Sequence, residues 1–288
     1  MKNTVKISIA EQIKNRLKPA ITWPGAKSKL LAHILPRIPV HRCYVELFCG
    51  SLAVLLAKQR SPHEVINDLH GDLVNFYRCV RFHADALLAE LEFILISRQE
   101  FHDHISQPGL TDIQRAARWF YRNRYGFRGA NKKTFHASAL TANSSRLSLV
   151  KRIAHLSKRL DRVTIENLDW QKCLDLYDRE STFFFLDPPY THCCAGAYAA
   201  WSLDNVQVLK TRLQNLKGSW LLTLNDHPAI RELFADCHMQ PLARPLGIRS
   251  AAEYKELLIS SPSVDFYTAQ KVVSCHPSRQ TTPDNSLL

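Results

Sequence analysis

The chain has 288 residues, 45% hydrophobic and 22% charged, with a net charge of +12; it has enough apolar material for a continuous core and too much for a disordered chain. No apolar run reaches the ~18 residues a membrane helix needs, and residues 1–19 alternate lysines with polar groups where a signal peptide would be apolar, so a soluble cytoplasmic protein is expected. The eight cysteines include no Cys-x-x-Cys pair and no histidine at zinc-ligand spacing, which argues for free thiols in a reducing compartment and against a metal site.

Residues 1–19 read as a short leader of one or two helical turns closed by Pro19. From Lys27, the apolar positions Leu30, Leu31, Ile34 and Leu35 follow helical spacing until Pro36. Cys43 to Phe48 is a short apolar strand and Cys49-Gly50-Ser51 a tight turn. Leu52 to Arg60 is predicted as a helix with Ala53, Leu56 and Ala57 inward, and Glu64 to Asp68 as a second strand. Strand, turn, helix and strand make the unit of a parallel sheet.

From about Leu73 to Leu160 the pattern is helical. Thr111-x-x-Gln114 is a capping box for a helix through Tyr125, and Leu149, Ile153, Leu156 and Leu160 mark another. Gly126 to Ser145 reads as loop or hairpin between them. The 48 residues between Asp112 and Asp161 hold twelve Lys/Arg and no acid, a surplus equal to the whole net charge of +12. Arginines 115, 118, 122, 124 and 128 alternate there with Trp119, Phe120, Tyr121, Tyr125 and Phe127, a mixture suited to phosphate contact and base stacking. Strands then resume at Val163–Ile165, Thr182–Leu186, Trp220–Leu224 and Glu256–Ser260, nearly continuous apolar runs as in a sheet covered on both faces. The tail from His276 is polar and expected to be disordered.

The sharpest motif is Asp187-Pro188-Pro189-Tyr190, which ends the apolar strand Phe183 to Leu186. Ligands of open α/β sheets bind beyond the carboxyl ends of strands, where this tetrapeptide falls. Two prolines stiffen the chain and remove two donors, leaving carbonyl acceptors. The Asp187 carboxylate and the Pro188 carbonyl can then take both hydrogens of an aromatic amine, with Tyr190 as a stacking face. An ordinary turn would explain the prolines alone, but not the motifs that accompany them.

Trp23-Pro24-Gly25-Ala26-Lys27, Tyr44 to Ser51, Asn67-Asp68, the basic insertion and Asp187 to Tyr190, in that order, resemble the Dam-type adenine-specific DNA methyltransferases from about Ile21 to Ser260. The resemblance implies a Rossmann-like class I methyltransferase α/β sheet with an inserted, mainly helical target-recognition subdomain. On that reading residues 20–74 and 162–270 form the catalytic domain, 75–161 the basic insertion, and 271–288 a tail. It implies S-adenosyl-L-methionine as cofactor, no metal, and double-stranded DNA as partner. Trp23, Lys27, Glu46, Phe48, Gly50, Ser51, Asp68, Asp169 and Asp187 would meet the cofactor. Asp187, Pro188, Pro189 and Tyr190 would be catalytic. Arg118, Arg122, Asn123, Arg124, Phe127, Arg128, Lys132 and Lys133 would meet DNA.

The implied reaction is in-line methyl transfer to N6 of a flipped adenine, by a monomer or weak dimer in a bacterial or phage-infected cell, as in restriction-modification or phage enzymes. The family usually has Pro at Leu47, Gly or Ala at Leu52, Gly at Ala26 and Asn at Arg128. The Leu47 and Leu52 departures keep a catalytically relict DNA-binding protein as an alternative, beside an RNA adenine or DNA cytosine-N4 enzyme. The aspartate heading the tetrapeptide favours adenine, and the lack of Gly-x-Gly-x-x-Gly after the first strand disfavours a nicotinamide enzyme.

Overall fold

The computed structural model describes residues 8–126, 134–135, 146–190, 201–247, 250–262 and 264. Its strands are β1 (Cys43–Glu46), β2 (His63–Asn67), β3 (Val163–Glu166), β4 (Thr182–Leu186), β5 (Ser219–Asn225), β6 (His238–Gly247) and β7 (Ser250–Ser260). They form one sheet of order β3-β2-β1-β4-β5-β7-β6. The first five are parallel, and β7 runs antiparallel to both β5 and β6.

Alternate strand residues feed two cores. Tyr44, Ile66, Phe183 and Phe185 enter one, while Val45, Val65, Phe184 and Leu186 enter the other. A residue wanted by a core on either side must be apolar at every position, which is why these strands read as unbroken apolar runs. The helices are α1 (Ile9–Asn15), α2 (Leu31–Ile34), α3 (Gly71–Phe82), α4 (Ala84–Glu92), α5 (Arg98–Ser106), α6 (Asp112–Tyr125), α7 (Arg146–Leu160), α8 (Trp170–Tyr177), α9 (Leu203–Gln214) and α10 (Pro228–Leu233). Side chains from α3, α6 and α7 share the first core with the sheet, whereas α8, α9 and α10 cover the second face. The capping box expected at Thr111 and Gln114 is formed and starts α6. Among the described residues, no helix is long and apolar enough to cross a membrane.

Two local expectations are corrected, and one strand is new. Residues 52–60 are a run of turns, not a helix. Leu52 starts the segment at φ 62, the left-handed region unfavourable to a branched side chain, and Leu52 to Ala57 are all buried, so no side is left for solvent. The segment after Lys27 is also broken, with 3₁₀ turns at Lys27–Lys29 and Leu35–Arg37 flanking the single turn of α2. Strand β6 was not expected because it carries Pro241 and Pro245; it lies at the sheet edge, where a strand tolerates proline.

The aromatic residues of α6 supply the third correction. Trp119, Phe120, Tyr121 and Tyr125 are buried, with Phe120 stacked on Phe76 at 5.1 Å and Tyr121 against Tyr125 at 4.8 Å. They pack in the core, where Phe120, Tyr121 and Tyr125 also line a cavity of about 450 Å³ between α4, α6 and α7, and they are not laid out on the exposed surface. The basic surplus is partly internal as well, since Arg159 is buried on Glu64. Phe127, Arg128, Lys132, Lys133 and the tail 271–288 lie outside the described residues.

Candidate active site

The chain reverses its winding between β1 and β4, and ligands of open α/β sheets bind at the carboxyl edge beside such a switch point. Loops after β1, β2 and β4 meet at that edge. The Leu47 amide donates to the Phe185 carbonyl at 3.1 Å, and the Cys49 amide to the Asn67 carbonyl at 2.9 Å. Buried Asn67 ties the second loop to a third, donating to the carbonyls of Leu47 and Leu168 at 3.1 Å each.

Gly50 is the tightest point of the first loop. Its φ is +41, and a Cβ there would stand 2.6 Å from Cδ1 of the Trp23 indole. Its amide donates to Asp68 Oδ2 at 3.1 Å, and its carbonyl accepts from the Tyr77 hydroxyl at 2.6 Å. The other Asp68 oxygen accepts from the His70 amide at 3.0 Å. Ser51 is buried beside Gly50, Phe48 is half-buried with its ring edge-on to Trp201, and Asp169 caps α8 through the Gln171 amide.

The family-atypical leucines are both fully buried, Leu47 in the core shared with Val45 and Phe184, Leu52 in the opposite one. Their bulk is absorbed by packing.

Glu46 is buried at the end of β1, where its Oε2 accepts from the Tyr44 hydroxyl at 3.0 Å and the Leu55 amide at 3.1 Å. Burial pushes its carboxyl up to about 8; these hydrogen bonds oppose the shift and the charge of Asp187 adds to it. The folded protein therefore holds a proton that an unfolded glutamate, at 4.5, has released. That contribution to stability is complete below about 4.5 and is lost as pH rises toward about 8. Thermal melts of wild type and Glu46→Gln across this window are expected to show the wild-type margin shrinking with pH, by roughly 5 kcal/mol in all. A margin independent of pH would refute the assignment.

The tetrapeptide after β4 is held from below by three elements. Asp187 pairs with the Lys27 ammonium at 2.7 Å and accepts from the Thr223 hydroxyl of β5 at 2.8 Å. Lys27 is 3% exposed and also donates to the Gly25 carbonyl at 2.7 Å. Tyr190 donates its hydroxyl to Glu256 of β7 at 2.7 Å, and the Lys27 ammonium lies 5.0 Å from its ring centre. Burial raises the Asp187 carboxyl, Glu256 adds to the rise, and Lys27 and Thr223 oppose it. Thr223 and Glu256 were not singled out in the sequence; the available sign was a polar residue standing in or beside an otherwise apolar strand.

Among the residues expected to meet DNA, Arg118, Arg122 and Arg124 are half-buried on α6. Asn123 is buried, and its amide group bonds Thr22 twice, accepting from its N–H at 2.8 Å and donating to its carbonyl at 2.7 Å.

A sheet wound in the order 3-2-1-4-5 with a reversed 7-6 hairpin, carrying its polar loops at the switch point, defines a Rossmann-like methyltransferase. Within that class the chain belongs to the D12 class N6 adenine-specific DNA methyltransferase family, whose profile matches residues 23–243. It is 24% identical over 251 residues to the Retron Ec67 DNA adenine methylase of Escherichia coli, covering 82% of this chain and 87% of that one. Over 286 residues it is 24% identical to the type II methyltransferase M1.LlaDCHI of Lactococcus lactis subsp. cremoris, with coverage of 88% and 99%. The type II methyltransferase M.MjaIII of Methanocaldococcus jannaschii is 27% identical over 201 residues, with coverage of 60% and 69%.

Proposed function

We propose that this chain methylates N6 of adenine in duplex DNA, using S-adenosylmethionine, with residues 75–161 as its target-recognition part. The observation that carries the reading is the meeting of Asp187 with the Gly50–Asp68 loops at one edge of the sheet. The residues suit a cationic donor that carries a nucleoside: the Gly50 backbone lies under Trp23, with the buried Asp68 carboxylate on one side of the turn and the protonated Glu46 carboxyl on the other. Bound there, S-adenosylmethionine supplies an electrophilic methyl group.

The turn Glu46 to Ser51, with Phe48, cradles the methionine end of the donor. Asp68 accepts from the ribose, Asp169 lies toward its adenine, and Trp23 packs over the turn. Asp187 and the Pro188 carbonyl accept the two hydrogens of the target amine, which aims its lone pair at the methyl group, and Pro189 stiffens the arc. These acceptors favour the positive charge that develops on nitrogen. Flipping the target out of the duplex costs a few kcal/mol, which contacts to phosphate from Arg118, Arg122 and Arg124 help offset.

Incubation with isotopically labelled S-adenosylmethionine and unmethylated genomic DNA, followed by nucleoside mass spectrometry and modification-detecting sequencing, tests the reading. Label in N6-methyladenine at one sequence context is expected; label in N4-methylcytosine, or none, would overturn it. Gly50→Ala is expected to weaken S-adenosylmethionine binding in calorimetry by about tenfold or more, or ~1.4 kcal/mol, because the new methyl collides with the Trp23 ring. Unchanged affinity would show that the donor does not use this turn.

A further inference from the structure

A half-buried carboxylate and a buried one share one ammonium beneath the tetrapeptide. Lys27 holds Asp187 at 2.7 Å and stands 3.7 Å from Glu256, which is 1% exposed on β7. The Lys27 ammonium thus holds Asp187 Oδ1, the oxygen that Thr223 also bonds, and it also sits over the Tyr190 ring. An amine that takes Oδ1 while its base lies on the lysine's side of Tyr190 meets the ammonium there. A buried cation that yields its place moves only to another anion.

We propose that Glu256 is a positioning residue that receives Lys27 when the target amine takes Asp187. The distance to be closed is about 1 Å, from 3.7 Å to ordinary hydrogen-bond length. No proton or bond changes hands; the ammonium exchanges one carboxylate for another, so the buried charge stays balanced throughout. By accepting from the Tyr190 hydroxyl, the same glutamate fixes the far end of the tetrapeptide. This inference rests on the methyl-transfer reading above and deepens it.

The test compares wild type, Glu256→Gln, Glu256→Asp and Tyr190→Phe by kcat and KM over a pH series with unmethylated duplex, plus melting temperature. The ionisable groups around Asp187 are Lys27, Glu46 on β1, Glu256 on β7 and Tyr190. Glutamine still accepts from Tyr190 but cannot receive a cation. Glu256→Gln is expected to lower kcat by about 10- to 100-fold, the worth of one charge-assisted contact, with KM for the cofactor within about threefold. Its acid limb should move to lower pH, because the charge that helps raise Asp187 is gone. Tyr190→Phe should leave that limb where it is in wild type, and Glu256→Asp should restore the limb with part of kcat.

Wild-type kcat with an unmoved limb in Glu256→Gln would overturn the proposal, as would a Tyr190→Phe variant that reproduces the whole Glu256→Gln phenotype. If Glu256→Gln does not fold, Glu256→Asp decides: reduced kcat on a wild-type limb supports the hand-off, and unchanged kcat refutes it. A wild-type protein that methylates no adenine would instead overturn the functional reading, and this inference with it.

Discussion

Asp187→Ala is expected to cut methyl transfer by about a thousandfold or more, in the range found when a preorganised electrostatic contact is removed from a reacting centre, while DNA affinity stays within about threefold. The carboxylate stands at the end of β4, fixed by Thr223 and Lys27, and takes no part in holding the sheet together. Removing it leaves Lys27 with Glu256 at 3.7 Å and the Gly25 carbonyl, so the buried ammonium is not stranded and the fold should survive. Single-turnover methylation and fluorescence-anisotropy titration with a duplex separate the two quantities. Equal loss of both would mean that Asp187 shapes the DNA site and has no separate part in the chemistry.

The largest effect on stability is expected at the opposite end of the sheet. Glu64, at the start of β2, accepts from Lys58 at 2.6 Å and from Arg159 at 2.5 and 2.9 Å. Burial alone would raise its carboxyl, but Arg159 and Lys58 outweigh that and hold it below the usual range. Glu64→Ala strands two buried cations, and breaking a buried pair from one side costs about 3–5 kcal/mol. Denaturant unfolding should register this in full, with kcat at low temperature little changed because the site lies at the other sheet edge. A loss under about 1 kcal/mol would mean that water or rearrangement satisfies Lys58 and Arg159.

The sheet was legible in the sequence because each central strand serves two cores and therefore declares itself residue by residue. The order of Gly50, Asp68 and Asp187 was legible for a related reason: parallel strands deliver their following loops to one edge. Several features were not. Residues 52–60 have helical composition, yet the left-handed Leu52 and the Glu46 carboxylate at the Leu55 amide draw them into turns. On α6 the arginines and aromatics alternate as they would in a nucleic-acid surface, but helical geometry sends the rings inward, a separation that composition does not record. Lys27 read as a cofactor contact; its ammonium pairs with Asp187, 160 residues away. Glu256 could not be linked to Tyr190, 66 residues earlier, before β7 was known to turn back beside β5.

Asn123 grips both backbone groups of Thr22, the residue next to the indole that lies on Gly50. Helix α6 and that indole are thereby mechanically joined, although they belong to different parts of the chain. Any factor by which a ligand on α6 changes affinity beside the indole is, by thermodynamic reciprocity, the factor by which occupancy beside the indole changes affinity on α6.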